Sequence, residues 1–82
     1  MAYALFSRVA LKEDLPAEGF CRGDIATVVD QHEDPQGKER GYSLEFFNAV
    51  GETIAVVVVR ESQIEPLKNN EIFHVREFHA VS

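Results

Sequence analysis

The chain has one cysteine, no tryptophan, eight basic residues and no long apolar run. Each scarcity excludes something. A single thiol, Cys21, cannot close an internal disulfide, so stability does not rest on the cross-links of small secreted domains, and a reducing compartment, the cytoplasm, is expected. Fourteen acidic residues against eight basic ones leave a net charge of −6. That balance repels phosphate and removes the counterion-release term behind most nucleic-acid affinity. Arg8, Lys38, Arg40, Lys68 and Arg76 are scattered along the chain and build no basic stripe. The opening MAYALFSRVALKEDL lacks a basic start and is broken at Ser7 and Arg8. It reads as neither a signal peptide nor a membrane span, so no membrane partner is expected.

Eighty-two residues suit one domain, 1–82, with one small core. The chain is punctuated like a β protein. Leu5 to Leu11 reads as a first strand. The segment KEDLPAEGFCRGD follows, and Pro16, Gly19 and Gly23 make it an ordered loop with Leu15 and Phe20 as core anchors. IATVVD (Ile25 to Asp30) and YSLEFF (Tyr42 to Phe47) alternate in the manner of half-buried strands, with Tyr42, Leu44 and Phe46 on one face. The polar tract from His32 to Gly41, carrying Pro35 and Gly37, is a hairpin-type connection. Val50-Gly51-Glu52 turns the chain into TIAVVVV (Thr53 to Val59), with Gly51 at positive φ.

The run from Ala55 to Val59 is apolar on both parities, so one of its faces needs a cover: another segment of the sheet, or another chain. Closure of the sheet into a barrel supplies one cover; edge-to-edge pairing with a second copy to form a homodimer supplies the other. A 3₁₀ turn at Glu61 to Gln63 and a short strand around Pro66 are expected next. After the turn pair Asn69-Asn70, alternation of Ile72, His74, Arg76, Phe78 and Ala80 against Phe73, Val75, Glu77, His79 and Val81 predicts a further C-terminal strand. A short helix competes, because Ile72, Val75 and His79 also satisfy helical spacing.

Chemistry-bearing constellations are sparse. Arg22-Gly23-Asp24 is turn chemistry: the glycine takes φ > 0 and the aspartate accepts a nearby backbone N–H, which outweighs an adhesion reading in a chain with no sign of export. Cys21 lacks a local signature for a nucleophile paired with a histidine, and is read as a small, partly buried apolar residue. His74 and His79 point to opposite faces of a strand, and His32 lies beside solvated acids, so no metal site is expected. The pairs Glu13-Asp14 and Glu33-Asp34 sit in loops, where carboxylates stay hydrated rather than becoming general acids. No phosphate-cradling glycine loop is present, and a small barrel has no deep cleft. Catalytic residues, metal and cofactor are all expected to be absent, and the chain is read as not an enzyme.

VALKEDLP, a loop ending in RGD, IATVVD, YSLEFF, VGETIAVVVV and ESQIEPL together resemble the small bacterial DUF4926 family over about residues 5–67. Ala26 stands where a second glycine is common, Leu44 where valine is usual, and residues 68–82 extend past the usual end. The resemblance implies an all-β fold: a small antiparallel SH3-like barrel of about five to six strands, here with a C-terminal extra strand. SH3-like folds bind through loops and exposed aromatics. The absence of catalytic groups, the acidic balance and more strand apolarity than one small sheet needs point to a non-catalytic protein-binding module or accessory subunit. The binding mode of SH3-like folds makes Tyr3, Tyr42, Phe47, Phe73 and Phe78 the candidate partner-binding residues, with core packing as their alternative. The acidity also suits an immunity- or antitoxin-like inhibitor of a neighbouring basic toxin; a nucleic-acid-binding barrel is a further, weaker alternative.

Overall fold

A computed structural model describes residues 2–34 and 36–80; Pro35 and Val81 of the expected loop and terminal strand lie outside them. Five strands form one antiparallel sheet: β1 (Arg8–Leu11), β2 (Ile25–His32), β3 (Gly41–Phe47), β4 (Thr53–Arg60) and β5 (Ile64–Pro66). Their spatial order is β4-β3-β2-β1-β5. The expected 3₁₀ turn occupies Glu61–Gln63, and a second one covers Pro16–Glu18.

The order of the strands dictates the shape. In a flat sheet β4 and β5 would stand four strand spacings apart, about 19 Å. Yet the link from Arg60 to Ile64 spans at most about 14 Å when fully extended, and less when wound as a 3₁₀ turn. The sheet must therefore curl until its two edges approach, which makes it barrel-like while leaving β4 and β5 unpaired with each other. Register shifts between Val28 and Asp30 and between Phe46 and Phe47 supply bulges that sharpen the bend.

The concave face holds the core. Val9 and Leu11 of β1, Val28 of β2, Tyr42, Leu44 and Phe46 of β3, Val57 and Val59 of β4 and Ile64 of β5 are all buried. The period-2 alternation is what places them there. The β1–β2 connection closes one end: Leu15 and Phe20 exchange backbone hydrogen bonds at 2.9 and 3.2 Å, and Gly19 reaches φ +81°. The Phe20 ring drops into the core and stacks on Phe46 with centroids 3.8 Å apart.

Two expectations require correction. The first strand begins at Arg8 rather than Leu5, because Leu5 and Phe6 form a turn in which Phe6 takes φ +67° and donates its N–H to the Val28 carbonyl. The C-terminal extra strand does not form: among the described residues no strand follows β5. Residues 71–80 instead run over the surface, fixed by side chains rather than by a backbone ladder. Phe78 stacks on the outer side of Phe20 at 4.9 Å. The Arg76 guanidinium forks onto the Asp24 carboxylate, with Nε donating to Oδ1 at 2.9 Å. A cation and an aromatic on one parity found separate partners on the β1–β2 loop, and those contacts replaced the ladder.

Candidate functional site

The turn before β2 is built from its own residues. Asp24 accepts the Cys21 N–H through Oδ2 at 2.7 Å, and Gly23 takes φ +91°. Asp14 accepts the Arg22 N–H at 2.8 Å. With Arg76 docked on it as well, the Asp24 carboxylate is committed to internal partners. The same ion-paired hydrogen bonding holds the Arg76 pKa above its ordinary value, against a smaller opposing effect of burial. Cys21 is exposed, not partly buried as its sequence context suggested, because Phe20 alone turns inward.

Of the five candidate partner-binding residues, the structure turns three toward the interior. Tyr42 is fully buried. It is a core residue rather than a surface contact, since its position on the inward parity of β3 leaves its ring no route to solvent. Its hydroxyl accepts the Tyr3 N–H at 3.0 Å and donates to Glu61 Oε2 at 3.1 Å. Tyr3 is half-buried, packs edge-on against Tyr42 with centroids 5.5 Å apart, and donates weakly to the Ile64 carbonyl at 3.4 Å. Burial, then the Glu61 carboxylate, raises the Tyr3 pKa above that of a free tyrosine. Phe78 is half-buried on Phe20. Only Phe47 and Phe73 are exposed, on different elements.

The apolar surface that the fold leaves open is richer than those two rings. On β4, Val57 and Val59 are 8% and 3% exposed whereas Val56 and Val58 are 59% and 67% exposed. Across the sheet Val56 faces Glu45 and Val58 faces Ser43, so the outer side of β4 is an apolar stripe beside a polar strand. A surface groove of about 400 Å³ runs along this strand, with Val57, Val58 and Arg60 on one wall and the segment Glu13–Glu18 on the other. The acids on that wall are Glu13, Asp14 and Glu18. Ile72, Phe73 and Val75 add an exposed apolar segment on the tail, and Phe6 is exposed in its positive-φ turn. The apolarity of β4 was legible in the sequence as a face needing a cover. Phe6 was missed, because nothing in LFSR signals a left-handed residue.

Among the described residues no three His, Cys, Asp or Glu side chains converge as a metal-ligand set. Among the described residues no helix is long and apolar enough to cross a membrane. No buried side-chain polar atom among the described residues lacks a hydrogen-bond partner. Compared with known proteins, the chain matches a family model over residues 5–66, from the turn before β1 through β5. It belongs to the DUF4926 family, described as a domain of unknown function. No curated protein and no solved structure matches it. The docked tail, with Arg76 and Phe78, lies outside the matched residues.

Proposed function

We propose that this DUF4926 chain is a small non-catalytic protein-binding module or accessory subunit, working in a reducing compartment such as the cytoplasm. One observation carries the reading: β4 buries one parity of its valines and leaves the other parity in solvent, on an edge strand. An apolar stripe of this kind, rimmed by polar residues, is the surface signature of a docking site. Phe47, 43% exposed at the end of the neighbouring β3, provides an aromatic close to the stripe. The exposed free thiol of Cys21 suits the reducing compartment.

Affinity copurification tests the reading with the native chain and a Val56→Thr/Val58→Thr variant, which keeps β-branched strand residues while removing the apolar stripe. One stoichiometric protein is expected with the native chain and lost with the variant, at unchanged circular dichroism. Recovery of the same protein by both, or of none by either, overturns the role of this surface. The acids of the groove favour a second reading, an immunity- or antitoxin-like inhibitor. It requires the captured protein to be a basic enzyme whose activity falls when the chain binds.

A further inference from the structure

β4 is an edge of the sheet, and the phase of its ladder shows which backbone groups face outward. Glu61 donates its N–H to the Arg40 carbonyl at 2.9 Å, which makes Arg40 and Glu61 a hydrogen-bonded pair. Such pairs alternate along an antiparallel ladder. Tyr42↔Val59 and Leu44↔Val57 are therefore bonded pairs, while Ser43↔Val58 and Glu45↔Val56 are not. The N–H and C=O groups of Val56 and Val58 consequently point away from β3. Among the described residues nothing pairs with them.

Edge strands are normally blunted by a charge, a proline, a bulge on the open side or a covering segment. Thr53 to Val59 contains neither a charge nor a proline. The feature facing this edge across the groove is the wall carrying Glu13, Asp14 and Glu18. The basic residue of the groove, Arg60, leans toward Glu39, 3.9 Å away. The open backbone template thus runs into a groove that Val58 shares with three carboxylates, with exposed Val56 further along the same edge.

We propose that the free edge of β4 receives an extended basic segment of another protein as a sixth strand. Its backbone pairs with Val56 and Val58, apolar side chains of one parity lie on those valines, and lysines or arginines of the other parity face Glu13, Asp14 and Glu18. Charge selects this occupant over a second copy, because two chains of net charge −6 would bring their acidic rims together. The inference rests on the protein-binding role proposed above and specifies its partner's chemistry.

The test is amide hydrogen exchange and chemical-shift mapping of the ¹⁵N-labelled chain. The probe is a capped hexapeptide of alternating lysine and valine; its control replaces each lysine by glutamate. The expected result is protection of the Val56 and Val58 amides by the lysine peptide alone, with affinity falling as salt is raised. Glu13→Lys/Glu18→Lys is expected to weaken binding about tenfold; both acids are exposed, and the Glu18 side chain takes part in no hydrogen bond among the described residues, its backbone N–H alone donating to the Leu15 carbonyl. Binding that perturbs only amides around Phe47 or Phe73 overturns strand addition and leaves the protein-binding role standing. Equal binding of both peptides, or of neither, also overturns it, and the copurification result decides the wider role separately. A dimer whose Val56 and Val58 amides are protected without peptide assigns the edge to a second copy and overturns the proposal.

Discussion

Removing one hydroxyl from Tyr42 and one from Tyr3 is the same chemical change made 5.5 Å apart, yet the structure demands very different costs. In Tyr42→Phe a fully buried group loses a hydrogen bond to the Glu61 carboxylate, and bonds to charged partners contribute about 1.5–3 kcal/mol each. It also strands the half-buried Tyr3 N–H that the hydroxyl accepts, although the entering ring fills the same space and no cavity opens. With about 1 kcal/mol for the stranded, half-buried donor, the sum is about 2.5–4 kcal/mol. Tyr3→Phe loses only a 3.4 Å contact to the Ile64 carbonyl near solvent, costing about 0.5 kcal/mol or less. For a domain of this size each kcal/mol moves Tm by about 4–8 °C, so Tyr42→Phe is expected to melt at least 8 °C lower, and Tyr3→Phe within about 4 °C of the native chain. Urea unfolding with an unchanged m-value checks that the difference belongs to the folded state. Equal costs at the two positions would refute the assignment of Tyr42 as a structural rather than a surface residue.

Other outcomes follow from the same contacts. Phe78→Ala removes the outer layer of the Phe20 stack and is expected to cost about 1–2 kcal/mol and to raise amide exchange across residues 71–80, while β3 stays protected; unchanged exchange in the tail would show that it is held otherwise. Gly51 sits at φ +88° with open space where a Cβ would stand, so Gly51→Ala introduces strain without a clash and is expected to lower stability by about 1 kcal/mol in chemical denaturation. The raised Tyr3 pKa sets a direction in alkali. The unfolded tyrosine loses its proton first, near pH 10, so stability is constant with respect to this group below that pH and falls as pH rises toward the folded value. The fall should be shallower in Tyr3→Phe, and identical alkaline slopes would contradict the raised pKa.

Period-2 alternation placed Tyr42, Leu44 and Phe46 inward because a strand with one dry face leaves no other phase. Positive φ at Gly23 and Gly51 was legible because turn chemistry is local. Where distant segments compete, the sequence was silent. The alternating tail from Ile72 to Ala80 satisfies a strand pattern as well as β2 does, but a strand exists only if a neighbour offers a ladder. The contacts that settled the tail, Arg76 on Asp24 and Phe78 on Phe20, join residues 52 and 58 positions apart, which no local pattern encodes. At Tyr42 residue type and local pattern conflict: a tyrosine suits a surface contact, and its inward parity in YSLEFF decides against one.

The run of four valines explains why fold and binding role are hard to separate in this chain. A strand that needs only one dry face could carry threonine or lysine at positions 56 and 58, and such residues would also protect an edge from unwanted pairing. Val56 and Val58 give neither protection nor core, being 59% and 67% exposed. Folding alone is served equally well by threonine there, because the core is completed by Val57 and Val59 on the other parity. The destabilisation expected for the Val56→Thr/Val58→Thr variant is therefore within about 0.5 kcal/mol, the range of ordinary surface substitutions. Unfolding measurements on that variant set the test. A loss above about 2 kcal/mol would assign the two valines to the stability of the fold itself, and a near-neutral result leaves association as the role that the apolar stripe performs.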